Sequence, residues 1–153
     1  MDEFFMKKAI DLAKKASLYG DVPIGALVVY DGIIVGRGYN KKEYYQNALY
    51  HAEIEALNQA SQSLKRWWLE GCSLYVTLEP CSMCAGAIVN TRVSRLIYGA
   101  KNKRFGAIES SINLLDSPAS NHKVQVTPGV LEEECGLLLT NFFKKLREEK
   151  KNE

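Results

Sequence analysis

Apolar positions recur at helical spacing along residues 2–19, where Phe5, Ala9, Leu12, Ala13 and Ala16 mark one face of an amphipathic helix and Gly20 supplies a natural stop. The pattern then changes. Ile24 to Tyr30 and Ile33 to Tyr39 flank Asp31-Gly32, a dipeptide favoured in two-residue hairpin turns, and are predicted as paired antiparallel strands. A helix is predicted from about His51 to Ser61, an apolar strand from Cys72 to Leu78, a helix from Ser82 to Asn90 and a strand from Arg95 to Gly99. A short strand around Lys123 to Val126 and a closing helix from about Val130 to Glu149 complete the plan. Such alternation predicts an α/β protein with helices packed on both faces of one sheet.

The 153 residues, 46% hydrophobic and 25% charged, suffice for one domain spanning residues 1–153, and no repeat, low-complexity block or Pro/Gly linker divides them. A net charge of +2 singles out no partner. The start lacks a basic segment followed by an apolar run, and no apolar stretch approaches the ~18 to 20 residues of a membrane span. A cytoplasmic, reducing setting is therefore expected. In it Cys81 and Cys84 serve as metal ligands rather than as a disulfide.

The chemistry concentrates in His51-Ala52-Glu53 and Pro80-Cys81-Ser82-Met83-Cys84. One imidazole and two thiolates suit Zn²⁺, and three protein ligands leave a fourth position open for water, as catalytic zinc sites require. His-x-Glu with Pro-Cys-x-x-Cys is the established signature of zinc base deaminases. Cys81 and Cys84, three apart at a helix start, share one face, and the helix terminus favours their thiolates. His51 and Glu53 would point apart on a regular helix, so both are expected at a helix entry. The charge balance lowers the pKa of a zinc-bound water from 15.7 to ~7 to 9, and Glu53 can take its proton and deliver it to a ring nitrogen and then to the departing amine. The predicted reaction is hydrolytic removal of an exocyclic amine from a heteroaromatic ring.

A structural zinc knuckle or a redox pair would need other partners. His122 stands in a polar turn, and Cys72 and Cys135 have the contexts of buried thiols. Glu79 is expected to orient or cap the helix that starts at Ser82. Arg92, Arg95, Lys101, Lys103 and Arg104, with no acidic residue among them, form a candidate phosphate-binding patch; the rival reading is a solvated basic loop.

Nearly end to end, the chain resembles the bacterial tRNA-specific adenosine deaminases, the TadA family of the cytidine deaminase-like superfamily. The resemblance rests on Asp21-Val22-Pro23-Ile24-Gly25-Ala26, Gly38-Tyr39-Asn40, His51-Ala52-Glu53, the run from Leu74 to Ala87, Asn121-His122 and Gly129 to Cys135. It implies a three-layer α/β/α fold with a five-stranded mixed sheet, a homodimer and one zinc ion per subunit. It also implies conversion of adenosine to inosine at the first anticodon position of an arginine tRNA with an ACG anticodon. His51, Cys81 and Cys84 would hold zinc, and Glu53 would be the proton shuttle. Asn40 would hydrogen-bond the flipped nucleotide, with Val22, Ile24 and Ala52 as the walls around the base and Asn121 as a further contact. Phe142, Phe143, Lys144 and Arg147 match a closing helix that clasps the anticodon stem-loop, although for at least one of the two phenylalanines core packing is the expected role.

Three departures stand out. Asn47-Ala48-Leu49-Tyr50 replaces the family's usual Asp-Pro-Thr-Ala, Asn102 replaces an Asp, and Glu109-Ser110 replaces a small Gly-Ser stretch. Asn102 in place of a carboxylate predicts weaker discrimination between RNA and DNA. Two other functions share parts of this pattern: a free base or nucleoside deaminase, guanine deaminase foremost, and a noncatalytic RNA-binding protein with structural zinc.

Overall fold

In the computed structural model, which describes residues 1–152, Asp31 and Gly32 both adopt positive φ, 54° and 77°. That is the backbone a two-residue hairpin turn demands, and it joins β1 (Gly25–Tyr30) to β2 (Ile33–Tyr39). With β3 (Cys72–Leu78), β4 (Arg95–Ala100) and β5 (Gln125–Thr127) these strands form one sheet in the order β2-β1-β3-β4-β5. β1 runs antiparallel to β2 and β3, whereas β3, β4 and β5 are parallel.

Alternation along β1 explains the layers. Leu27 and Val29 face α1 (Asp2–Leu18), packing with Phe5, Met6, Ala9 and Ile10, and α5 (Glu132–Lys151) adds Cys135 to the same side. Ala26 and Val28 face the opposite way, into a core built with Ala52, Ala56 and Leu57 of α3 (Ala52–Leu64) and Ile88 of α4 (Ser82–Asn90). The expected three-layer α/β/α architecture with a mixed five-stranded sheet is thus present. Boundaries differ modestly: α3 continues past Ser61 to Leu64, and β5 begins at Gln125. A one-turn helix, α2 (Lys42–Tyr45), and a 3₁₀ turn at Leu114–Asp116 were not predicted. Among the described residues no helix is long and apolar enough to cross a membrane.

α3 lies on β2 at backbone contact. A Cβ at Gly36 would land on the Ala56 carbonyl, and one at Gly38 on the Ala52 carbonyl, so only glycine permits this approach. The outer edge of β2 is closed by the same helix: Arg37 and Tyr39 N–H groups donate to Gln59 Oε1 (3.0 Å) and Glu55 Oε1 (3.2 Å), and Ser63 Oγ donates to the Val35 carbonyl (2.8 Å).

The start of α1 is anchored to the sheet by Asp2. Arg95 donates from both terminal nitrogens to the two carboxylate oxygens, at 3.0 and 2.6 Å, and the Tyr75 hydroxyl donates to Oδ1 at 2.7 Å. The Arg95 hydrogen bond, reinforced by Tyr75 and opposed by partial burial, holds the Asp2 carboxyl below its ordinary 3.8. A lowered folded-state pKa stabilises the fold above the unfolded value and stops doing so as pH falls through the folded one. Asp2→Asn is therefore expected to lower the urea midpoint at pH 7, with the gap to wild type closing toward pH 3. A gap that stays constant with pH would assign the effect to packing instead.

Candidate active site

β3 ends at Leu78, and Glu79-Pro80 carry the chain to Cys81, the N-cap of α4. His51 is the N-cap of α3, with extended backbone (φ −88°, ψ 155°). Both helix starts meet at the carboxyl ends of the parallel strands, where open α/β sheets place their sites. His51 Nδ1 lies 3.7 Å from Cys81 Sγ and 3.5 Å from Cys84 Sγ, and one donor atom from each residue falls within 4.8 Å of the others. The extended backbone at His51 resolves the two-residue spacing: the imidazole leaves before the helix begins, and Glu53 turns inward from its first turn.

Hydrogen bonding organises the charge. The Cys84 thiol and the His51 ring both bond the Cys81 sulfur, and together they bring its thiol down to about 3 against the opposing effect of burial. Bonding to that sulfur pushes Cys84 far up, and the same contact raises His51. A thiophilic divalent cation among these donors displaces the thiol protons, so the donor set fits a metal ion. Glu53 is 4% exposed, beside Cys84 and His51, and burial raises its carboxyl pKa.

Asn40, Val22 and Ile24 form one assembly. Asn40 Nδ2 donates to the Val22 carbonyl at 3.2 Å, its backbone N–H donates to the Ile24 carbonyl at 3.0 Å, and its Oδ1 accepts the Lys42 N–H at 3.1 Å. One amide hydrogen and one oxygen lone pair stay free for a ligand. Ala52 is fully buried, in the core against which Ile24 packs. The second half of α5 lies beside the end of α1, where Phe142, half-buried, lines an open groove of about 410 Å³ with Ser17 and Gly20, while Phe143 is 41% exposed beside the exposed Lys144 and Arg147. Neither phenylalanine joins the two hydrophobic cores.

Asn121 and His122 do not join this group. His122 Nε2 lies 2.8 Å from the carbonyl of Val93, just before β4, so the pair sits at the amino end of the parallel strands. The chain must return to that end before β5 can run parallel to β4, and this places residues preceding β5 away from the His51, Cys81 and Cys84 donors. The five-residue basic patch is also corrected. Arg92 pairs with Glu70 (3.0 Å) and Arg95 with Asp2, which leaves Lys101, Lys103 and Arg104 on the loop at the active edge.

Glu79 has a role other than the expected helix cap. Its 1% exposed carboxylate accepts the N–H groups of Asn102 (3.2 Å), Ile108 (3.2 Å), Glu109 (2.8 Å) and Ser110 (2.9 Å), and the Ser110 hydroxyl. Burial pushes its carboxyl up, but the Ser110 hydroxyl and the backbone donors of Glu109, Ser110 and Asn102 outweigh that, and the net shift is downward. Glu79 thus folds the whole segment 102–110 around itself. Ser110 and Glu109 serve that loop, the latter also accepting the Tyr98 hydroxyl at 2.8 Å, and Asn102 Oδ1 accepts the Phe105 N–H at 3.2 Å. No sequence pattern signals this, since every partner is at least 23 residues away.

Comparison with known proteins gives the class first: residues 1–147 match the MafB19-like deaminase family. A tRNA-specific adenosine deaminase of Bacillus subtilis strain 168 is 48% identical over 150 residues, 98% of this chain and 93% of that protein. Another from Haemophilus influenzae is 45% identical over 153 residues, covering 99% of this chain and 88% of its own length. A solved structure from studies of A-to-I editing by tRNA:A34 deaminases at the wobble position of transfer RNA superposes with a TM-score of 0.86 at 39% identity, covering 89% of this chain and 99% of that one. This chain belongs to the tRNA-specific adenosine deaminase family.

Glu79→Gln offers one acceptor oxygen and turns an NH₂ toward backbone donors, a mismatch worth on the order of 1–3 kcal/mol. Amide hydrogen exchange at Asn102, Ile108, Glu109 and Ser110 is expected to accelerate roughly tenfold or more. Unchanged protection at those four amides would show that the loop holds itself.

Proposed function

We propose that this protein is a cytoplasmic zinc-dependent hydrolase that converts adenosine to inosine at the first anticodon position of tRNA, with arginine tRNA bearing an ACG anticodon as its substrate. The observation that carries the reading is the buried Glu53 beside the His51, Cys81 and Cys84 donors, in a chain with this kinship. One imidazole and two thiolates are a catalytic zinc donor set, closed by no fourth protein ligand among the described residues. Zinc held there supplies Lewis acidity that makes water a usable nucleophile near neutral pH. Residues 1–153 act as one domain, as a homodimer with one zinc ion per subunit.

The chain's own groups then divide the work. Glu53, its carboxyl raised by burial, takes one proton of the attacking water and gives it to the purine ring nitrogen, then takes the remaining hydroxyl proton of the substrate adduct and gives it to the leaving amine. Water and adenosine give inosine and ammonia. Asn40 orients the nucleotide with its free amide hydrogen, and Val22 and Ile24 flank the base. Phe143, Lys144 and Arg147, exposed on the half of α5 near α1, together with Lys101, Lys103 and Arg104, contact the anticodon stem-loop. An unpaired loop base costs less to splay out of its stack than one in a duplex, which suits an anticodon loop as the substrate.

Purified protein is expected to hold one zinc per chain and to form inosine at the first anticodon position of unmodified arginine tRNA. Glu53→Ala should retain zinc and lose at least about a hundredfold in rate. Cys84→Ala should lose the metal. Ammonia release from guanine, with no inosine in tRNA, would instead make it a nucleobase deaminase.

A further inference from the structure

Five tyrosines gather around the segment that leads to His51. Tyr45 stacks on Tyr50, the residue before His51 (centroids 4.9 Å, 19°); Tyr44 meets Tyr45 edge to face at 5.0 Å, Tyr19 meets Tyr44 at 5.2 Å, and Tyr19 stacks on Tyr39 at 6.2 Å. Lys41 lies beneath them, its Nζ 4.2 Å from the Tyr39 ring centroid, 5.5 Å from that of Tyr50 and paired with Glu55. Tyr19, Tyr44 and Tyr45 are 53, 57 and 54% exposed, and a shallow cleft of about 110 Å³ opens between them, Tyr39 and Lys41.

The backbone that carries Tyr44 and Tyr45 is tied to the wall of the base pocket. Asp21, fully buried, accepts the N–H groups of Glu43 (2.7 Å) and Tyr44 (3.1 Å), and Asn40 Oδ1 accepts that of Lys42. Val22 follows Asp21 directly, and the Lys41 N–H donates to the Tyr50 carbonyl (3.2 Å), which binds α2 to the approach to His51. The deamination chemistry uses none of the tyrosines. Because Glu55 neutralises Lys41, the surface offers open π faces rather than charge, and every unpaired base has a matching face. A ring already stacked on its neighbour, as Tyr45 is on Tyr50, loses less entropy when a base packs against it.

We propose that Tyr44 and Tyr45 form a stacking subsite for an unpaired nucleobase adjacent to the target adenosine. The subsite rests on the RNA-deaminase reading above and adds to it the placement of a neighbouring base. A stacked neighbour contributes to ground and transition states alike, so its loss raises KM and leaves kcat in place.

The test pairs protein and RNA changes. Wild type, Tyr44→Ala, Tyr45→Ala and Tyr45→Trp are assayed on an anticodon stem-loop and on versions in which each nucleotide flanking the target is made abasic in turn. On intact RNA the alanine variants are expected to lose roughly five- to a hundredfold in kcat/KM through KM, while Tyr45→Trp retains activity. At one abasic position wild type should fall to the level of the alanine variants, and these should fall no further. Equal losses on intact and abasic RNA at every position would overturn the subsite, as would an alanine variant that changes oligomeric mass, since the patch would then seat a second copy. A wild type that leaves the intact stem-loop unconverted would overturn the substrate reading, and the subsite with it.

Discussion

The contact between α3 and the glycines of β2 sets the height of everything in the site. A helix normally rides on a sheet at the distance its side chains require, but Gly36 and Gly38 remove the sheet's side chains and let Ala52 and Ala56 carbonyls meet the strand directly. Because His51 and Glu53 stand at that end of the helix, their depth is fixed by backbone contact instead of by adjustable packing. The thiols come from another direction, at the end of β3, whose register against β1 and β4 is set along most of its length. Two rigid elements therefore meet with no loop left to accommodate error.

Two buried carboxylates flank the thiols, and their surroundings send them in opposite directions. Glu53 is enclosed with few donors, so burial dominates and its carboxyl pKa rises. Glu79 is buried as deeply by exposure but faces four backbone N–H groups and a hydroxyl, and its pKa falls. Environment alone moves one carboxyl toward its neutral form and the other toward its anion, which suits the first to the proton transfers proposed for it and the second to holding a loop. Glu79 organises the loop at the active edge, and Glu53 takes no part in that network.

What was legible in the sequence was whatever depends on period and local turn chemistry. Cys72–Leu78 and Ser82–Asn90 match their predicted spans because a continuous apolar run and a Pro-Cys entry are local signals. α2 was missed because Lys42–Tyr45 carries no apolar repeat and is organised by Asp21, more than 20 residues earlier. Arg92 and Arg95 read as free cations because Glu70 and Asp2 reach them only after folding. The convergence of His51, Cys81 and Cys84 was legible because coordination chemistry restricts residue type and spacing together; the placement of Asn121 was not, since it follows from the direction of β5.

The side chains of Gln59, Glu55 and Ser63 occupy the hydrogen-bonding groups that an edge strand would otherwise present to another chain. At the opposite margin β5 offers only three residues. The β2 border is closed to strand addition and the β5 border is short, which blunts the route by which exposed edges recruit neighbours into fibrils. Copies of this chain that associate do so through helices and loops, and the sheet ends where the molecule ends.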